Sequence, residues 1–303
     1  MSGDSSLCVA DPYSYRVVAP WEEATADIHS AEEAAPTPSF QSRMTERRVD
    51  HLHLMRCADG HYYVVKFQNN PQHTRVLVND WLGTCLAELI GLPVPAVDIV
   101  EVNPWLIEHT PDLRIELCGR KIMVTPGPSF GSRYVVSLDD GQVHDYLPES
   151  MIGRVRNLNH FAGMLAFDKW TCNADGRQAA FWKRLRERKF TASFIDQGYC
   201  FNAGEWSFPD APLRGVFGRN DVYAGVTGWD SFEPWISRIE SFPESSLQSL
   251  VDQIPPEWYN SAVDDLDRLL CQLLERRSLV RDLVLSFKKS SRNPFPNWLN
   301  GAS

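Results

Sequence analysis

Apolar and polar positions alternate with a period of two over two short runs near residue 50. Leu52-His53-Leu54-Met55-Arg56-Cys57 and His61-Tyr62-Tyr63-Val64-Val65-Lys66-Phe67 flank Ala58-Asp59-Gly60, which predicts a β-hairpin turning at Asp-Gly. Strand alternation puts Tyr63, Val65 and Phe67 on one face and Tyr62, Val64 and Lys66 on the other. The period then changes. Val78, Trp81, Leu82, Cys85, Leu86 and Leu89 recur at helical spacing, predicting a helix over 75–90. Gly91 stands where a helix C′ residue belongs, and Pro93 and Pro95 forbid continuation. Strands are expected over 97–102 and 120–125, completing a small α+β unit. Beyond residue 130 the pattern is mostly helical. Leu158, Phe161, Leu165 and Phe167 predict a helix over 157–170, and residues 179–182 and 189–195 a hairpin around a charged turn. A Gly- and Trp-containing stretch over 202–232 reads as loop. Residues 256–289 read as helix, with Leu266, Leu269, Leu270, Leu273 and Leu274 as a buried stripe.

The chain has 303 residues, 43% apolar and 23% charged, which fits a globular protein of one large domain or two packed lobes. Its formal net charge of −9 disfavours a sequence-blind nucleic-acid binder, so polyanion binding needs a local patch. One basic island exists, Lys183-Arg184-Leu185-Arg186-Glu187-Arg188-Lys189: either a solvated tip or a docking point for an acidic partner or a nucleic-acid backbone. No apolar run is long enough to cross a membrane, and residues 1–12 lack the pattern of a secretory signal. Seven cysteines without a CxxC pair predict reduced, packed thiols and a cytoplasmic location. Residues 1–45 are expected to be a loosely ordered extension, either a flexible tail or an arm docking through Tyr13, Tyr15 and Trp21. No His/Cys/Asp spacing suits zinc, and no GxSxG supports a serine hydrolase.

Three positions carry candidate chemistry. Lys66 ends a strand and precedes a helix with acids, a setting in which a lysine can hold nucleotide phosphates while a carboxylate fixes its ammonium. Asp80 and Glu88 are the helix acids, eight residues apart and thus on nearly one face, away from the apolar stripe. Asp175, in the loop Asn173-Ala174-Asp175-Gly176-Arg177-Gln178, can orient a hydroxyl. Nearby Asp168 reads either as functional or as a helix-end residue held by backbone donors. Asp196, in Phe194-Ile195-Asp196-Gln197-Gly198, leaves a strand toward a glycine that lets the chain bend, and can reach a metal bridging phosphates. The order of strand lysine, acid-bearing helix, loop Asp and hairpin ending in a second Asp is that of kinase-fold phosphotransferases.

Tyr63-Val64-Val65-Lys66-Phe67, Val78-Asn79-Asp80 and Leu86-Ala87-Glu88-Leu89-Ile90-Gly91-Leu92-Pro93-Val94-Pro95 resemble the first lobe of HipA-like kinases. Phe167-Asp168-Lys169-Trp170-Thr171-Cys172-Asn173-Ala174-Asp175 is similar to their catalytic segment, and Phe194–Gly198 to their metal-binding strand end; the likeness spans roughly residues 48–290. The resemblance implies a two-lobed α+β kinase-like fold: an extension over 1–45, a β-rich lobe over 46–128 and a mainly helical lobe over 129–303. It implies an ATP- and Mg²⁺-dependent phosphotransferase acting on a protein or small-molecule hydroxyl, not at a membrane. Lys66 matches the phosphate lysine, Asp80 the helix acid (usually Glu), Asp175 the catalytic Asp and Asp196 the metal-binding Asp. Two positions depart: Ala180 stands where the family has a metal-binding Asn, and Gly176 where it has Arg, with Arg177 following. Gln178, Asn173 or water would then supply the missing metal contact. Otherwise the chain is a pseudokinase-type module that engages nucleotide or a protein partner without catalysis. The stretch 43–50 contains no glycine, so no GxGxxG loop precedes Lys66. Gly127–Tyr134, with Gly131 as a cofactor-binding candidate, would be the hinge beside an adenine ring, or a linker.

Overall fold

The structure is a computed structural model that describes residues 8–15, 53–117 and 119–299. In chain order, strands β1 (Cys8–Tyr15), β2 (His53–Cys57) and β3 (Tyr62–Lys66) lead into helix α1 (Val76–Leu89). Next come β4 (Val97–Val102), α2 (Pro104–His109), β5 (Arg114–Leu117), β6 (Arg120–Met123), β7 (Gly127–Arg133) and β8 (Gly141–His144). Then follow α3 (Glu149–Ile152), α4 (His160–Thr171), β9 (Gln178–Arg184) and β10 (Thr191–Ile195), and finally α5 (Trp235–Glu240), α6 (Glu244–Val251), α7 (Val263–Arg276) and α8 (Val280–Lys288). The whole is a mixed α/β fold with antiparallel sheets. No described helix is long and apolar enough to cross a membrane.

The β2–β3 hairpin forms as expected, with Gly60 at φ +83° in its turn, a backbone region that favours glycine. The sheet continues from β3 to β7 and β4, and β1 pairs antiparallel with β2 and parallel with β4 to close a barrel. Cys8–Tyr15 is therefore a strand inside the region expected as a loose extension; the rest of 1–45, Trp21 included, lies outside the described residues. Closure leaves the described strands of the barrel no free edge to pair with another chain. Its interior is filled by Met55, Tyr63, Val65, Phe67, Val100 and Val102, so the alternation read in β3 holds.

The stretch expected as hinge or linker is β7, held between β3 and β4. Gly131 pairs with Val65 and Asp98 there, and a β-carbon on it would collide with Val100 Cγ2 and lie 3.2 Å from Tyr63. Packing of the barrel explains this glycine, and its neighbours Phe130 and Ser132, not Gly131, line the cleft described below. Among the described residues, the strand expected over 120–125 pairs only with β5, apart from the barrel.

A second, larger hydrophobic cluster joins α1, α4, β9, β10 and the C-terminal helices. Helix α1 belongs to it and is buried from Val76 through Ala87, so the expectation that Asp80 and Glu88 share a face away from the apolar stripe fails for Asp80. Asp80 is 1% exposed, Glu88 is exposed and Leu89 is 53% exposed. Trp81 packs edge-on against Trp258, and a β-carbon on Gly83 would lie 2.7 Å from Gln197 Cβ, so α1 is enclosed from several sides. Helix α4 starts at His160 rather than 157, because the Asn157 side chain exchanges two 2.9 Å hydrogen bonds with the Ala192 backbone of β10. The stripe on α7 is buried at Leu266, Leu269, Leu270 and Leu273, while Leu274 is half-buried.

Candidate functional site

Lys66 ends β3 on the face opposite the barrel interior and is 5% exposed. A buried ammonium needs anionic partners, and the fold brings two. Lys66 Nζ lies 2.7 Å from Asp80 Oδ2 on α1 and 2.9 Å from Asp196 Oδ1 just past β10. Asp80 Oδ1 also accepts from the Gln197 backbone N–H at 2.9 Å, and Asp196 Oδ2 accepts from Gln178 Nε2 at 3.0 Å. Burial opposes the lysine charge, but Asp196 and Asp80 outweigh it and hold the pKa well above the ordinary lysine value. Burial pushes the Asp80 carboxyl up to about 6; Lys66 draws it down and Asp196 pushes it further up.

That shift predicts a pH signature. The folded protein binds the Asp80 proton more tightly than the unfolded chain does, from the ordinary 3.8 up to about 6. Asp80 thus contributes stability at low pH that is lost as pH rises through about 6. Denaturant titrations from pH 4 to 7 should show the wild type losing stability relative to Asp80→Asn as pH rises; parallel curves would refute the assignment.

Asp196 sits at φ +61°, a left-handed conformation uncommon for a residue with a side chain. The sharp bend expected from Gly198 is made by Asp196 itself. Gly198 is needed for space: a β-carbon there would lie 2.8 Å from Val76 Cγ2, 3.0 Å from Asp80 Oδ2 and 3.4 Å from Lys66 Nζ. Gly198→Ala should therefore lower stability by about 1–3 kcal/mol through overpacking, measurable as a reduced urea midpoint. An unchanged midpoint would contradict this contact.

The loop after α4 is organised by an ion pair that sequence reasoning did not assign. Asp168, 1% exposed, accepts from Arg177 Nη2 at 2.5 Å and Nε at 3.0 Å and from Asn173 Nδ2 at 3.0 Å. Arg177 also donates to Ile195 O at 2.9 Å and to Gln197 Oε1 at 2.6 Å, tying this loop to the end of β10. Burial pushes the Asp168 carboxyl above its ordinary value against the pull of Arg177 and Asn173. Of the two readings for Asp168, the held helix-end residue fits, with side chains rather than backbone as the donors. Asn173 is 1% exposed, and its Oδ1 accepts from the Asp175 N–H at 3.1 Å, so both ends of its amide serve the loop. Asp175 is half-buried and accepts from the Gly176 N–H at 2.7 Å.

Asn79 was also missed. Its Nδ2 faces the carbonyls of Gly198, Cys200 and Ala203 at 2.8–2.9 Å, and its Oδ1 accepts from Trp206 Nε1 at 2.8 Å. It pins the segment after Asp196, in which Phe201, Asn202 and Ala203 all have positive φ. The sequence signals were the place of Asn79 beside Asp80 in a family-like run and of Arg177 next to the position where the family has Arg.

These elements frame a cleft between β3, β7, β9 and β10. Val64, Phe130, Val143 and Phe194 make most of it apolar, while Lys66, Asp80 and Asp196 charge one end beside the Gln178 amide. The chemistry of this lining suits a nucleotide, with apolar side chains for a base and an ammonium for phosphates. Ala180 lines it too, buried on β9 opposite Ser193, without a ligand atom. Among the described residues no group of three His, Cys, Asp or Glu could hold a metal alone. A hard divalent cation fits only in the manner of Mg²⁺, through one or two protein oxygens completed by phosphates and water. Asp196 and a rotated Gln178 amide are positioned for that; Asn173 is committed to its loop.

Residues 42–183 match the family described as HipA-like kinase, as the Lys66 and Asp175 segments indicated; Asp196 lies beyond the matched stretch. No curated protein matches the chain. Among solved structures, a Helicobacter pylori proinflammatory kinase, CtkA, is similar at 12% identity and TM-score 0.48, over 79% of this chain and 93% of that one. HipA from the Shewanella oneidensis MR-1 complex with HipB and operator DNA is similar at 12% identity and TM-score 0.45, over 76% and 61%. A Golgi casein kinase with Mn/ADP bound is similar at 11% identity and TM-score 0.43, over 80% and 71%.

Proposed function

We propose that this kinase-like chain is an ATP- and divalent-metal-dependent phosphotransferase acting on a protein or small-molecule hydroxyl. The observation that carries this reading is the buried Lys66 ammonium between Asp80 and Asp196, at the charged end of an otherwise apolar cleft. The family match over residues 42–183 supports it. The barrel cluster would be the small lobe and the larger cluster the helical lobe, with the cleft between them. When bound, ATP supplies the phosphoryl group and a divalent cation screens its charge. Lys66 would hold the phosphates, with Asp80 keeping its ammonium in place. Asp196 and Gln178 would hold the cation, and Asp175 would orient the acceptor hydroxyl and take its proton.

Ala180 favours a second reading. It puts no donor on β9 where the family has an Asn, so a pseudokinase that binds nucleotide without transfer is the competitor. Calorimetry with ATP and Mg²⁺ tests the shared part of both. Lys66→Ala removes a charge-assisted contact of roughly 1.5–3 kcal/mol, so ATP affinity should fall about tenfold or more. Equal affinity in both proteins would remove Lys66 from the site.

A further inference from the structure

We infer that the distal end of the β9–β10 hairpin is a docking groove for a carboxylate-rich segment of a protein partner. The turn 153–156 forms one wall and the hairpin tip the other. The two are stitched by Arg156 N–H to Phe190 O at 2.9 Å and Phe190 N–H to Arg154 O at 3.0 Å. Between them lies a groove lined by Gly153, Arg154, Lys183, Glu187, Arg188 and Lys189. The one acid in that lining is taken: Glu187 pairs with Arg156 at 2.8 Å. Lys183 Nζ lies over the Phe190 ring at 5.1 Å. Among the described residues, Arg154, Arg186, Arg188 and Lys189 have no ion-pair partner, and all four are exposed.

Cations left unpaired on a chain of net charge −9 mark a surface complementary to an anion. The acidity of the remaining surface disfavours a long duplex, whose uniform charge would run past the patch onto repelling ground. Leu185, 56% exposed at the tip, offers an apolar contact that suits a peptide. No exposed aromatic among the groove residues offers a base a stacking platform. Asp139 and Asp140 precede β8 beside Arg184, which limits the cationic surface on that side. Lys183 is five residues along β9 from Gln178, about 17 Å at strand spacing, so the groove is separate from the Lys66 cleft.

The test is fluorescence anisotropy of the full chain with labelled deca-glutamate and with a labelled 20-base-pair DNA duplex. The peptide should bind, more weakly as salt rises. The Arg154→Glu/Arg188→Glu/Lys189→Glu variant should lose at least tenfold in peptide affinity while its thermal midpoint and ATP affinity stay unchanged. Lys66→Ala should bind the peptide as the wild type does, so failure at the ATP cleft leaves this result standing. Absence of peptide binding, equal affinity in the triple variant, or tighter binding of the duplex at the same salt would overturn the inference.

Discussion

Asp196→Ala is expected to lower ATP-dependent phosphate transfer by about 10³-fold or more, since a catalytic cation supplies several kcal/mol and each 1.36 kcal/mol is tenfold. The same carboxylate also holds Lys66 at 2.9 Å and Gln178 at 3.0 Å, so its loss slackens the lysine as well as the proposed cation site. The measurement is the initial rate with Mg²⁺ and with Mn²⁺. Turnover surviving in Asp196→Ala would place the activity elsewhere or in a contaminant. Gln178 and Ala180 separate the two readings of the site. If Gln178 substitutes for the missing Asn, the wild type turns over, and Gln178→Ala cuts the rate more than ATP affinity. If the site has lost catalysis, the wild type is silent and Ala180→Asn raises transfer.

Arg177→Met should destabilise the protein by about 3–5 kcal/mol, because it strands a fully buried carboxylate without its partner. Asp168 would keep only the Asn173 amide, and Ile195 O and Gln197 Oε1 would lose a donor. Urea denaturation measures the loss. The double variant Asp168→Leu/Arg177→Met should recover part of it, since apolar side chains of similar volume need no pairing. A single variant within 1 kcal/mol of the wild type would show that the pair is not buried as described.

Lys66, Asp80 and Asp196 were legible as candidates because each sits at a recognisable point of a local pattern: a strand end, a helix, a strand leading to a glycine. Arg177 was legible as a residue but not as a partner. Its significance lies in bonds to Asp168, Ile195 and Gln197, separated by up to 20 residues and set by how α4 meets β10. The place of Asp80 on α1, away from the apolar stripe in the sequence but buried in the fold, has a related cause. The twelve consecutive buried residues include the polar Asn79, Asp80 and Thr84, and what encloses them, such as Trp258, lies far away in the chain.

The sequence by itself determined the hairpin at Asp59–Gly60, the helix stopped by Gly91 and two prolines, the β9–β10 hairpin, and the likeness to HipA-like kinases, because periodicity, turn chemistry and short motifs are local. Only the tertiary structure decided that β1 closes a barrel, that 127–133 is a strand paired with β3 and β4, that Asn173 turns into its own loop while Gln178 reaches Asp196, and that Gly198 is required for space beside Lys66. Each of these depends on which distant backbone a residue meets. Pairing, enclosure and steric room are properties of the packed chain, and neighbouring residues in sequence carry almost no information about them.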